Sequence, residues 1–465
     1  MSHRDMDCLN GSVGDAQGLA AALGWLTGVD WKDIRFRQDC GWSVPSLVTA
    51  ALLWAWSGET SLQERLEQTL ENLHRMGGHK APHSTSYQAF LKLLVRWTTP
   101  LRAAVVRALQ LCMEREFPDE FRIAGFVVLA GDGSKLALPR TLSNQRRFSP
   151  ARRRAQQKER GSRDRRKKVQ AKRAREKKAD SPQLALTALF HLGLRQLWDW
   201  RIGPSDASER EHLREMLADL PADALVTADC GFVGYEFWSA LLESGRQFVI
   251  RVGGNVRLLK QLGVVRESAD TIYLWPDKFA KRGQPPLVLR LVVVQGARHP
   301  WYLVTSVRDP RRLSDRQVAE IYRRRWGIEL FFRHFKQTFG RAKLRSHKAE
   351  HAESELQWSL LGFWSMMLEA QRHRTTPTDR ASVARVLRAF RRAMGSVLKP
   401  GRSLATMLSR AVIDPYTRRD KRSRGYPRKK YDPPSGPPRI KKATPTQTRL
   451  AKQLAKTYVK KGLTA

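Results

Sequence analysis

FVVLAGDGS, residues 126–134, is an unbroken apolar, β-branched run that closes on an aspartate between two glycines. Its length and composition predict a buried β-strand whose last residue, Asp132, emerges at a sheet edge. A second run, ALVTADCGF (224–232), repeats the pattern and delivers Asp229. Ligand and metal sites of α/β sheets collect at the ends of buried strands, which makes both carboxylates site candidates. Each taken singly is more often a turn former. Gly131 and Gly133 would allow a close backbone approach beside Asp132.

Working outward, QLALTALFHLGLRQLWDWRIG (183–203) reads as two strands and SEREHLREMLADL (208–220) as a helix. YEFWSALLESG reads as a further helix and RQFVIRV as a strand; DTIYLWPD, PPLVLRLVVV and PWYLVTSV then give strand after strand. Upstream, LAAALGWL, VPSLVTAALLWAW, SLQERLEQTLENLHRM and TPLRAAVVRALQLCMERE carry apolar residues three and four apart, as helices do. The expected organisation is an N-terminal helical domain (1–120), an α/β core begun at 121–250, a β-rich insertion (251–310) and a site-bearing helix of the core (311–350). A C-terminal helical region (351–413) and a basic, Pro-rich, mobile tail with a short final helix (414–465) complete it. The core is interrupted at 145–180 by a basic insert, whose residues 145–178 hold 17 Arg and Lys against three acids. Almost nothing there can enter a core, so the insert is expected to be disordered and to contact nucleic acid.

The whole chain has 85 Lys and Arg against 44 Asp and Glu, a formal charge of +41. Such an excess calls for a polyanionic partner, and nucleic acid is the simplest. No apolar run reaches the length of a membrane span and no leader pattern opens the chain, so no membrane partner is expected. The four cysteines are scattered without a C-x-x-C pair, which argues against a structural zinc site or a disulfide framework and places the protein in a reducing cytoplasm.

Against this cationic background stands YRRRWGIELFFRHFKQTFG (322–340), with one carboxylate, Glu329. At 100° per residue, Tyr322, Arg325, Glu329 and Lys336 fall within about 60° of one another and form one polar stripe. Ile321, Ile328, Phe332, Phe335 and Phe339 fall on an adjoining apolar stripe that would dock on a sheet. An ordinary i, i+4 pair of Arg325 with Glu329 explains part of this pattern. Three carboxylates, however, are also what Mg²⁺ and a phosphodiester need: a hard cation takes oxygen ligands, and two such ions serve in-line displacement.

The spacing Tyr322, Arg325, Glu329, Lys336 resembles the Y-R-E-K motif of the DDE transposases of the insertion-sequence-four family. SYQAFLKLLVRW (86–97), DGSKLALPR (132–140), ADCGFVGYEFW (228–238) and QFVIRVGGN (247–255) also look like that family. The resemblance spans roughly 80–400. It implies an α/β fold with a ribonuclease-H-like catalytic core, in which Asp132, Asp229 and Glu329 are the catalytic residues and the ligands of two Mg²⁺ ions, with Mn²⁺ able to substitute. It further implies that Tyr322, Arg325 and Lys336 bind DNA phosphates, and that Trp301 and Trp326 stack on bases in members that cut through a hairpin. A strand position in the core is the competing reading of Trp301. The partners implied are double-stranded DNA, as terminal inverted repeats and as target, and a second copy of the chain when DNA is bound. The N-terminal helices would bind the repeats, and the location would be cytoplasmic and nucleoid-associated. Two other functions fit the same residues: a structure-specific nuclease without strand transfer, and a repurposed, non-catalytic DNA-binding protein.

Overall fold

The structure, a computed structural model, describes residues 14–78, 80–82, 85–151, 182–263, 267–296, 299–376, 379–395, 402–413 and 436–460. Helices α1 (Ala16–Ala22), α2 (Val44–Trp56), α3 (Leu62–Met76), α4 (Tyr87–Glu116) and α5 (Pro118–Phe121) come first. Capping boxes at Ser43 with Ser46 and at Ser61 with Glu64 start α2 and α3 by satisfying free backbone N–H groups. α4 runs straight through Pro100, which forfeits a backbone hydrogen bond. The complete burial of Leu94, Leu101 and Val105 offsets that loss.

Next come β1 (Val127–Ala137), α6 (Leu142–Phe148), β2 (Gln183–His191), β3 (Gln196–Pro204), α7 (Glu209–Met216), β4 (Ala224–Ala228), α8 (Tyr235–Glu243) and β5 (Gln247–Val252). β6 (Arg257–Lys260), β7 (Thr271–Leu274), α9 (Asp277–Ala280), β8 (Leu287–Val294) and β9 (Trp301–Thr305) follow. The chain ends with α10 (Asp315–Arg324), α11 (Trp326–Arg333), α12 (Ala349–Arg372), α13 (Val383–Ala393), α14 (Leu404–Ser409), β10 (Arg439–Lys442) and α15 (Pro445–Lys460).

All ten strands form one mixed sheet in the order β10-β6-β7-β8-β9-β5-β4-β1-β2-β3. β1, β4 and β5 are mutually parallel at its centre. β2 and β3 extend it antiparallel on one side, and β9 begins the antiparallel run on the other. The strands of 251–310 thus continue the sheet beyond β5. Helices cover both faces. A Cβ on Gly131 would meet Leu213 of α7 at 2.7 Å and one on Gly133 would meet Glu209 at 2.0 Å, so the glycines admit α7 on one face. Side chains alternate along a strand, so Asp132 points to the other face, where α11 lies against β1.

Four expectations are corrected. Asp132 does not end its strand, because β2 keeps pairing with β1 as far as Ala137↔Gln183, five residues further. Residues 145–148 of the expected disordered insert belong to α6, anchored by buried Phe148 and by Asn144, which donates to the carbonyls of Pro139 and Ser346. The rest of the insert, from 152, lies outside the described residues. The tail is ordered over 436–460: β10 pairs in parallel with β6, and Ala451 of α15 is fully buried. Residues 414–435 of that expected tail lie outside the described residues.

The N-terminal helices, finally, share a core with the C-terminal ones. Trp56 donates its indole N–H to the carbonyl of Gly362 at 2.7 Å, Trp358 reaches Thr98 at 2.9 Å, and Arg341 reaches the Ala55 carbonyl at 2.9 Å. These three bonds join α2 and α4 to α12 and the loop before it. Among the described residues no helix is long and apolar enough to cross a membrane.

Candidate active site

Register places the first two acids. Ala130 of β1 stands beside Thr227 of β4, and Ala228 stands beside Ile250 of β5. Two residues past Ala130 is Asp132, two past Thr227 is Asp229, and one past Ile250 is Arg251. The three therefore share one row across neighbouring parallel strands, which lie about 4.8 Å apart. The parallel pairing ends just before this row, so backbone groups that would have paired are replaced by side chains. Asp132 accepts the Gly133 N–H at 2.8 Å, and Asp229 accepts the Gly231 N–H at 2.8 Å, capping a short turn of helix at Cys230–Phe232. Asp229 is thus both a turn former and a member of the row.

Burial pushes the Asp132 carboxyl up to about 6; Asp229 and Glu209 add to the rise, and the Gly133 N–H and Arg325 oppose it. A carboxyl this easily protonated is one whose negative charge lacks a partner. Glu209, at the start of α7, is likewise raised, by burial and then by Asp229.

The third acid arrives on a helix that is not continuous. Ser314 caps α10 through a box with Gln317. The helix then tightens at Arg325, whose N–H is shared between the carbonyls of Ile321 and Tyr322 at 3.2 Å, and the Ile328 N–H bonds the Arg325 carbonyl, three residues back. Beyond α11 it widens into a π-helix, His334–Thr338. An even 100° per residue across 322–340 therefore does not hold. Tyr322 is 7% exposed, with its ring edge-on to Trp301 at 6.1 Å and the Arg325 guanidinium 5.5 Å from its centroid; burial raises its hydroxyl while Arg325 and Arg251 oppose the rise, so it stays on the side of the polar stripe. Trp326, 56% exposed, does lie away from the buried Ile and Phe face.

Glu329 accepts a hydrogen bond from Arg325 at 2.8 Å, the ion pair that the i, i+4 spacing allows. The Arg325 side chain is 11% exposed and its Nε has no hydrogen-bond partner among the described residues. Burial works against its charge, while Tyr322, Glu329 and Asp132 more than restore it. Burial also lowers the Lys336 ammonium, and Asp132 counters that. Arg325 lowers Asp132 and Asp132 raises Lys336, in keeping with the packing of α11 against β1. Among the described residues no three His, Cys, Asp or Glu side chains are grouped to hold a metal, and Glu329 is engaged by Arg325. The donor chemistry nonetheless suits a hard divalent cation, because every candidate ligand is a carboxylate oxygen.

Sequence reading missed Arg251, Glu209 and Lys135, whose charge lowers Glu209. Arg251 lies within QFVIRVGGN and could have been found only by setting β4 and β5 in register. Glu209 looks in sequence like an ordinary first-turn acid.

The sequence matches the Transposase DDE domain family over residues 127–363, an interval that contains both aspartates and the four motif residues, Glu329 among them. It is 27% identical over 190 residues to the transposase InsG for insertion sequence element IS4 of Escherichia coli strain K12, an alignment covering 39% of this chain and 42% of that protein. The match thus spans about two fifths of the relative's length. A piggyBac transposase synaptic complex with hairpin DNA, solved by cryo-electron microscopy, superposes with a TM-score of 0.39 at 10% identity, covering 88% of this chain and 84% of that one. With the family domain laid over the strand row and the facing helix, the chain is a member of the Transposase DDE domain family.

Proposed function

We propose that the protein is a transposase that excises a DNA segment and inserts it elsewhere, using a ribonuclease-H-like core. The observation that carries this reading is the common row of Asp132 and Asp229 on parallel strands, faced by the helix that bears Glu329. The order β3-β2-β1-β4-β5, parallel only within β1, β4 and β5, supports the core assignment.

Asp132, Asp229 and Glu329 would hold the divalent ions, Mg²⁺ or Mn²⁺, two per site. Bound Mg²⁺ supplies charge neutralisation at the attacking and leaving oxygens of phosphoryl transfer. The chain's own cations do the positioning. Arg325 presents a planar fork to a phosphate, and Lys336 a point charge beside Asp132. A phosphate that takes the fork competes with Glu329 for it, so DNA binding would release the glutamate toward the two aspartates. Tyr322, buried beneath Trp301, sets the height of Arg325. Trp326 is open to stack on an unpaired base, and Trp301 reaches such a base only from its half-buried place on β9.

The reaction proposed is strand cleavage by water at the end of the element, attack of the freed 3′-hydroxyl on the opposite strand to give a hairpin, opening of the hairpin, and joining to target DNA. Each step breaks one phosphodiester bond and forms one P–O bond at a single site. The double-stranded partners are the terminal inverted repeats and the target, bound by two copies of the chain. Asp132→Asn and Glu329→Gln are expected to abolish cleavage of element-end DNA while DNA binding stays within about two-fold, given that neither removes a cation. Cleavage at the wild-type rate by either variant refutes the site. Pre-cut ends mixed with target DNA separate this reading from a nuclease: joined products support transposition, and their absence removes the strand-transfer step.

A further inference from the structure

The opposite end of the central strands carries a second cationic feature. A cleft of about 540 Å³ opens there, lined by Phe126 ahead of β1, Gln247 at the start of β5, Arg290 of β8, and Arg308, Asp309 and Arg312 of the segment leading to α10. Phe126 and Asp132 are six residues apart on one strand path, so roughly 20 Å separates the cleft from the acid row.

Arg290 is the unusual member, only 2% exposed. It donates to the carbonyls of Arg308 at 3.3 Å and Leu313 at 2.6 Å, but its Nε has no hydrogen-bond partner among the described residues. Its nearest carboxylates, Asp315 at 3.6 Å and Asp270 at 4.0 Å, neutralise it at a distance rather than binding it closely. A buried guanidinium left in that condition is costly, and a strong oxygen acceptor in the cleft would improve it. Arg308 and Arg312 add charge at the mouth. The lining carboxylate, Asp309, already accepts the Arg311 N–H of its own loop at 2.8 Å.

The lining also says which part of a phosphate ligand is recognised. Its one aromatic ring, Phe126, is covered by the Arg312 guanidinium at 4.1 Å, so no face is open to stack a base. Guanidinium forks suit phosphate oxygens.

We propose that this cleft is a second DNA-backbone site, in which Arg290, Arg308 and Arg312 take a phosphodiester remote from the one at the acid row. The assignment of DNA as the source of that phosphate rests on the transposase reading; the anion chemistry of the cleft does not. Binding of a short random-sequence duplex to the full-length protein, followed across salt concentration, tests it, together with calorimetric titration of inorganic phosphate. Arg308→Gln should lower the slope of log K against log salt by about 0.9, the value for one phosphate contact, and Arg308→Lys should restore it. Arg312→Gln should act in the same direction, and melting curves report whether each variant is folded. Unchanged slopes in folded Arg308→Gln and Arg312→Gln overturn the proposal. Equal losses in the Gln and Lys variants of Arg308 do so too, since charge is then not what matters. Loss of inorganic phosphate binding with an unchanged duplex slope overturns the DNA assignment in favour of a small anion. Failure of the transposase reading would show instead as cleavage by Asp132→Asn, which none of these outcomes affects.

Discussion

Arg325 holds the position on which the site turns. It binds Glu329, lies over the ring of Tyr322 and acts on Asp132, so its replacement should remove both a phosphate ligand and the restraint on the glutamate. Arg325→Ala is expected to lower the single-turnover cleavage rate on the order of 10²-fold, as loss of one preorganised charge does, and Arg325→Lys should recover only part of it because the fork is gone. A rate for Arg325→Ala equal to wild type would remove the residue from the mechanism. His191 illustrates a residue whose role is stability alone. It stacks on Phe121, its Nδ1 accepts the Leu194 N–H at 3.1 Å, and burial lowers it from 6.5 to about 4. The unfolded chain therefore binds this proton first, so its contribution is complete above about pH 6.5 and is lost as pH falls toward 4. Between those limits the loss should be on the order of 3 kcal/mol, seen as a falling denaturation midpoint that His191→Asn flattens.

At the level of elements, close approach is bought with glycine. Gly362 of α12 has no room for a side chain, since a Cβ would sit 2.7 Å from that of Ala55 on α2, and its carbonyl accepts the Trp56 indole. Gly362→Val should therefore destabilise the protein by about 1–3 kcal/mol through overpacking, measured as a lower denaturant midpoint at unchanged m-value. The helix of 315–338 does not keep one pitch along its length. Residues 326–333 do form one regular helix, whereas Tyr322 belongs to the preceding one, across the tightened turn at Arg325. Hydrophobic periodicity records which residues are apolar; it does not record a local change of pitch.

For the molecule as a whole, the seam between the two ends of the chain decides what can fold alone. α2 and α4 bury their faces on α12, so a fragment of residues 1–121 should show no cooperative melt by circular dichroism, unlike the full chain. A sharp transition in that fragment would show that it is an independent unit. Removing 436–465 should expose the β6 edge that β10 covers, and lower the melting temperature while raising aggregation in light scattering.

What the sequence by itself determined is the set of local features: the buried strands carrying Asp132 and Asp229, the spacing of Tyr322, Arg325, Glu329 and Lys336, the caps, and the cationic balance. Each depends on residues within a few positions of one another or on composition. Only the tertiary structure decided that Asp132 and Asp229 share a row with Arg251, and that arginines of distant segments meet in a cleft at the far end of the sheet. Those facts depend on strand register and on which helix covers which face, and both are set by packing between segments far apart in the chain.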